Sequence, residues 1–250
     1  YFQIINYTNN SYKMKKIIIL FTIIISINLS AQEKPYWICF NFSVDKQSDA
    51  TDLVNAVDMM MNADEMSQLP YTVFLFEMNF ANSTSGFTHQ LCFLGQNADY
   101  FKQWGGGPGE FAESILANMI FENVATPYSS VLASPLIFDS EKAGEYAYAN
   151  VWDIKVKDVE KFTDLAVDFI QANSNNFDGV IELHEIISGG ENGVTHIMVA
   201  RSNNLGDWLR GRESVISNPK SQPWFANSNK YSEFINSFAG TRLKVYPAKQ

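Results

Sequence analysis

Hydrophobic and polar residues alternate with period two over Trp37–Val44: Phe40, Phe42 and Val44 fall on one side, Asn41 and Ser43 on the other. That alternation predicts a half-buried strand. A helix is expected next, over Asp49–Met61, with Met59, Met60 and Met61 read as helix core. Two further strands, Thr72–Phe80 and Phe87–Leu94, flank a polar loop and read as a hairpin. A helical region over Glu110–Asn123 and a strand over Ser130–Phe138 complete the run. The same succession then recurs. Ala149–Val156 reads as a strand. Asp158–Ala172 reads as a helix with Val159, Phe162, Leu165, Ala166 and Phe169 at helical spacing, and Asp158 stands where an acid favours the helix N-terminus. Val180–Ile187 and Val194–Arg201 form the second hairpin, and a helix over Trp224–Phe238 precedes a last strand, Thr241–Tyr246.

The recurrence is visible in the residues as well as in the pattern. Gly86-Phe-Thr-His89 returns as Gly193-Val-Thr-His196, 107 positions later. The same offset sets Leu91 on Met198, Asn97 on Asn204 and Phe101 on Trp208, and runs back without a gap to set Val73 on Val180. Residues 36–140 and 146–247 therefore read as two copies of one β-α-β-β-α-β unit. The fold class is α+β. One such unit has helices on only one face of its sheet, so two tandem copies can cover each other sheet to sheet.

On this element order and repeat, the chain resembles the dimeric α+β barrel superfamily, which includes the antibiotic-biosynthesis-monooxygenase-like proteins. The resemblance implies two fused ferredoxin-like halves, a pseudo-dimer within one chain for which a monomer is sufficient. It also implies three kinds of activity: cofactor-free monooxygenase, haem-using enzyme or plain small-molecule binder. No catalytic motif of one member family stands out, and a fold alone does not choose among activities.

Residues 1–31 are a different kind of sequence. Met14 opens Met-Lys-Lys, the apolar run Ile17–Ile27 follows, and Ser30-Ala31 supplies small residues at a cleavage position. This is the layout of an export signal, Met14–Ala31, with residues 1–13 upstream of it. The apolar run is too short for a membrane span, which needs about 20 residues. The whole chain has 18 Lys+Arg against 27 Asp+Glu, a net charge of −9. Residues 1–31 hold three lysines and no acid, so the remainder carries 15 basic and 27 acidic residues, or −12. Such a surface repels phosphate backbones, and no nucleic-acid partner is expected. A periplasmic or extracellular location is. The chain has two cysteines; Cys39 shares a face with Asn41 and Cys92 a face with Thr88 and Gln90, which predicts opposite faces and no disulfide.

The candidate chemistry rests on three histidines. If Phe80 pairs with Gly86, Glu77 lies opposite His89, and the same register in the second hairpin puts His184 opposite His196. Ile181, Leu183, Ile197 and Val199 would then face the helices, leaving Glu182, His184, His196 and Met198 to face the interior. The neighbouring strand adds Asp153 there, and Asn41 in the first copy. The expected site is His196, His184 and Asp153 in catalytic positions with Glu182, Glu77, His89 and Asn41 as ligand-binding residues. Two His and a carboxylate suit Fe(II) or Zn; a His oriented by an acid suits proton transfer; polar lining of a cavity suits ligand binding alone. Arg201, Arg210 and Arg212 read as a solvated cluster, and Trp104–Glu110, Gly-rich but without a phosphate-loop lysine, as a lid or helix-start loop. The expectation is an exported small-molecule-binding protein of unknown cofactor; a monooxygenase-like or metal-dependent enzyme and a non-catalytic interaction protein are the alternatives.

Overall fold

The computed structural model describes residues 34–44, 47–63, 66, 70–81, 86–102, 124–139, 142 and 144–248. The leader, the Trp104–Glu110 stretch and the expected helix Glu110–Asn123 lie outside the described residues. Among the described residues, eight strands and four helices run in chain order: β1 (Tyr36–Ser43), α1 (Gln47–Asn62), β2 (Thr72–Ala81), β3 (His89–Gly95), β4 (Thr126–Ile137), β5 (Tyr148–Val156), α2 (Val159–Asn173), β6 (Val180–Gly189), β7 (His196–Ser202), α3 (Leu205–Ser217), α4 (Gln222–Tyr231) and β8 (Ser232–Tyr246). None of the described helices is long and apolar enough to cross a membrane.

The strands form one closed antiparallel barrel in the order β1-β3-β2-β8-β5-β7-β6-β4, with β4 returning to β1. Its outer face is covered by helices. In the first half Leu53, Val57 and Met60 of α1, one turn apart, seat on Phe42, Leu75 and Leu91 of the sheet and are fully buried. Removing each from water contributes about 1.5–3 kcal/mol. Met60 is thus core, whereas Met59 is 64% exposed. In the second half α2 turns Phe162, Ala166 and Phe169 onto Ile154, Leu183, Met198 and Ala200. Asp158 caps α2, its carboxylate accepting from the Lys161 N–H at 3.2 Å.

Two segments differ from the sequence reading. Asn204 accepts from the Asp207 N–H and starts α3 at Leu205, a helix the periodicity did not reveal. Asn97, at the matching offset, caps a 3₁₀ turn over Ala98–Phe101 in the same way. The expected helix Trp224–Phe238 ends at Tyr231, and Ser232 begins a 15-residue strand that pairs with both β5 and β2. Its length meets the demands of barrel closure on both sides.

The cysteines also differ. Cys39 and Cys92 are opposite one another in the β1–β3 register, Cα atoms 4.1 Å apart, and form a disulfide. Gln90, Cys92 and Leu94 point into the barrel, and His89, Leu91 and Phe93 point to α1. The barrel interior is itself apolar, built from Trp37, Phe74, Phe76, Leu94 and Val131 around the disulfide. Hydrophobicity therefore does not distinguish inside from outside.

Candidate functional site

The first hairpin has the expected register, with Glu77 opposite His89. The second is shifted by one: Glu185 lies opposite His196, and His184 opposite Ile197. Because side chains alternate, that one residue leaves His184 facing the interior as expected and turns His196 and Met198 to the helix side. The two histidines of β6 and β7 do not converge.

His89 and His196 lie on the helix side and share one pattern of contacts. The hydroxyl of Thr88 accepts from the Val44 N–H at 2.8 Å and contacts His89 Nδ1 at 2.9 Å. Thr195 does the same for the Val156 N–H and His196 Nδ1, at the same distances. Each Thr-His pair thus ties the end of one strand to the next. His89 stacks on Phe42 and His196 leans on Phe162. Burial lowers the pKa of both rings, against the weaker pull of Glu77 and Glu185 respectively. Glu77 is exposed at the barrel rim.

The interior holds a different trio. Glu182 Oε2 accepts from Arg201 Nε at 3.1 Å and meets His184 Nε2 at 3.1 Å. All three are at most 8% exposed. Burial works against the charge on Glu182, but the Arg201 guanidinium and the His184 ring outweigh it and hold the carboxyl below its ordinary range. The guanidinium also lies 5.6 Å over the Trp37 ring. Glu182 and His184 were legible as inward-facing. Arg201 was not, because it shares the parity of Ile197 and Val199, the β7 set expected to face the helices but found in the interior. Arg210 pairs with Asp207 on the surface, and Arg212 is exposed.

Asn41 and Asp153 meet at the other end of the barrel. Four residues separate Trp37 from Asn41 along β1, about 13 Å. The Gln90 amide donates to Asn41 Oδ1 at 2.7 Å, and Asn41 donates to the Ser129 hydroxyl at 2.9 Å. These side chains and Asp153 line a recess of about 30 Å³. Burial, with Glu191 adding to it, pushes the Asp153 carboxyl up to about 7. The sequence placed Asn41 and Asp153 at separate mirror sites; barrel closure brings them to one.

A further concave feature lies outside the barrel, between the second half-sheet and α2–α4. It is a cleft of about 290 Å³ lined by eight aromatic rings, among them Trp152, Phe162, Trp208 and Trp224, with Met198, Arg212 and Asn229. Phe169 and Trp224 stack at 4.9 Å on its wall. The helical spacing of Phe162 and Phe169 identified them as core, which gave no sign that the core is open there.

No protein-family model and no curated protein matches the chain. Solved structures do. A provisionally assigned monooxygenase from Lactobacillus acidophilus NCFM matches over 87% of this chain and 99% of its own, with TM-score 0.60 and 12% identity. A variant of the chlorite dismutase from Candidatus Nitrospira defluvii matches over 84% and 92%, with TM-score 0.54 and 13% identity. A haem-binding protein from Thermus thermophilus matches over 85% and 92%, with TM-score 0.50 and 11% identity. The fold is that of the dimeric α+β barrels.

Proposed function

We propose that the chain is an exported small-molecule-binding protein whose ligand is a flat, mostly apolar molecule held in the aromatic cleft of the second half. The cleft itself carries this reading. Its volume of about 290 Å³ and its aromatic walls with a few polar edges are those of a ligand site. Arg212 stands exposed at the rim and makes no ion pair among the described residues, so it is free to meet an acidic group on the ligand. The neighbours in fold, a monooxygenase, a chlorite dismutase and a haem-binding protein, lend support as handlers of small molecules.

Haem is a poor fit for the cleft. Haem iron takes His, Cys, Met or Tyr as axial ligand. Among the described lining residues only Met198 is of those types, and His196 on the same strand is engaged with Thr195. An organic ligand suits the lining better.

The strand orders β4-β1-β3-β2 and β8-β5-β7-β6 share one connectivity, which supports reading the barrel as two fused ferredoxin-like repeats. Export is supported by the leader and by the buried disulfide, since an oxidising compartment keeps such a bond.

Titration with 1-naphthoic acid, followed by tryptophan fluorescence, tests the assignment. Saturable quenching is expected, weakened about tenfold by Arg212→Ala, an exposed position, through loss of one charge-assisted contact. Absence of saturation with naphthoic acid and with 1-naphthol would overturn it.

A further inference from the structure

Within the barrel, Trp37, His184 and Arg201 line a cavity of about 80 Å³ whose wall includes the Cys39–Cys92 disulfide. It is separate from the aromatic cleft, and its role is independent of the ligand assigned to that cleft. Trp37 is 5% and His184 4% exposed. Trp37 Nε1 and His184 Nδ1 are buried and hydrogen-bond to nothing among the described residues. Buried polar groups in native proteins are nearly always paired, so two orphans on one cavity wall need a partner.

Both orphans are fixed in place. Glu182 holds the opposite nitrogen of the His184 ring at 3.1 Å, and Arg201 anchors Glu182 in turn. Trp37 is clamped by Arg201 on its face, by Phe74 at 5.5 Å and by Phe138 at 6.0 Å. The Trp37 and His184 rings stand edge to face with centroids 6.5 Å apart. A small molecule in the cavity that met both nitrogens would satisfy them. The indole only donates, so the guest must accept there; the imidazole nitrogen accepts or donates with its protonation state, so the guest must be able to do either. Glu182 and Arg201 already neutralise each other, which disfavours a charged guest. At about 15 Å³ per water-sized group, the cavity takes about five heavy atoms.

We propose that the barrel interior is a second binding site, for a small uncharged amphiprotic molecule of the primary-amide or hydroxyl class. It accepts a hydrogen bond from Trp37 Nε1 and bonds to His184 Nδ1. Glu182 and Arg201 are positioning residues that hold the imidazole in register.

Formamide is the probe, and the readout is the indole and imidazole ¹⁵N signals of the labelled protein. The Trp37 signal is assigned by its loss in Trp37→Phe, which keeps the ring packing and removes the donor. Saturable shifts confined to Trp37 and His184 are expected, with the His184 response weakened about tenfold in Trp37→Phe, the effect of one buried hydrogen bond. Trp224→Phe, in the aromatic cleft, should leave them unchanged. Three results would overturn the proposal: shifts that never saturate, which would leave the cavity to water alone; equal affinity in Trp37→Phe; or binding of xenon without formamide, which would make it an apolar void. Naphthoic acid binding is measured on the same sample, so failure of one site is read apart from failure of the other.

Discussion

Exchanging Asp153 for Asn should stabilise the protein at pH 8 and leave it unchanged near pH 4. Asp153 is 6% exposed, inside the barrel, and its carboxyl is raised from 3.8 to about 7, by burial first and by Glu191 second. Between those values the native state keeps a proton that the unfolded chain has released. The unfolded state then binds fewer protons, and stability falls as pH rises. The favourable contribution is complete below pH 3.8 and lost once the pH passes about 7. At about 1.4 kcal/mol per pH unit across that window, the loss approaches about 4 kcal/mol, a large part of a typical domain's 5–15 kcal/mol. Asparagine keeps the shape and polarity and has no proton to lose. Urea unfolding at pH 4, 6 and 8, taken as the difference between variant and wild type, cancels every other titrating group. The difference should start near zero and grow in favour of the asparagine variant to several kcal/mol. A difference independent of pH, or a variant less stable at pH 8, would refute the argument that Asp153 is desolvated.

Three other outcomes are expected. Glu182→Ala strands Arg201 inside the barrel and should cost about 3–5 kcal/mol, most of it recovered by Glu182→Leu with Arg201→Leu; a single-variant loss under about 1 kcal/mol in urea would deny the buried pair. Replacing both Cys39 and Cys92 by Ala frees a loop of 53 residues and should lower stability by about 4 kcal/mol, and equal urea midpoints for the two proteins would mean no bond forms. His196→Phe, packed beside Phe162, should preserve naphthoic acid binding in the fluorescence titration, whereas abolished binding in a folded variant would return His196 to the site.

The first strand was legible because period-two alternation survives over Phe40–Val44, and the Thr-His pairs marked equivalent strand starts correctly. What failed was parity. The repeat was carried without a gap from β2 to β6, yet Glu77 and His89 are 12 positions apart and Glu185 and His196 are 11. The second turn is tighter because Gly189, Gly190 and Gly193 all take positive φ. A Cβ on Gly189 would come within 2.2 Å of the Ser130 carbonyl oxygen, so the close approach of β4 also demands glycine there. One residue lost in a turn is invisible to an ungapped repeat, and it put His196 on the helix side, across the sheet from the inward-facing His184. The cysteines were misjudged for a related reason. Both barrel faces are apolar, and the choice of which set turns inward depends on α1 covering His89, Leu91 and Phe93. Arg201 was passed over because a long cationic side chain reads as solvated unless its partner is already placed.

The closed barrel bears on how the chain is made. Its seam joins β2 to β8, pairing Val73 with Tyr246. On a growing polypeptide the edge of β2 has no strand to accept until β8, more than 150 residues further on, is synthesised. Contacts so distant in sequence make for slow folding, and an open edge in the meantime is a template for pairing with other chains. A product ending before Ser232 would expose the edges of both β2 and β5, so a late stop codon should yield aggregate rather than a smaller folded protein.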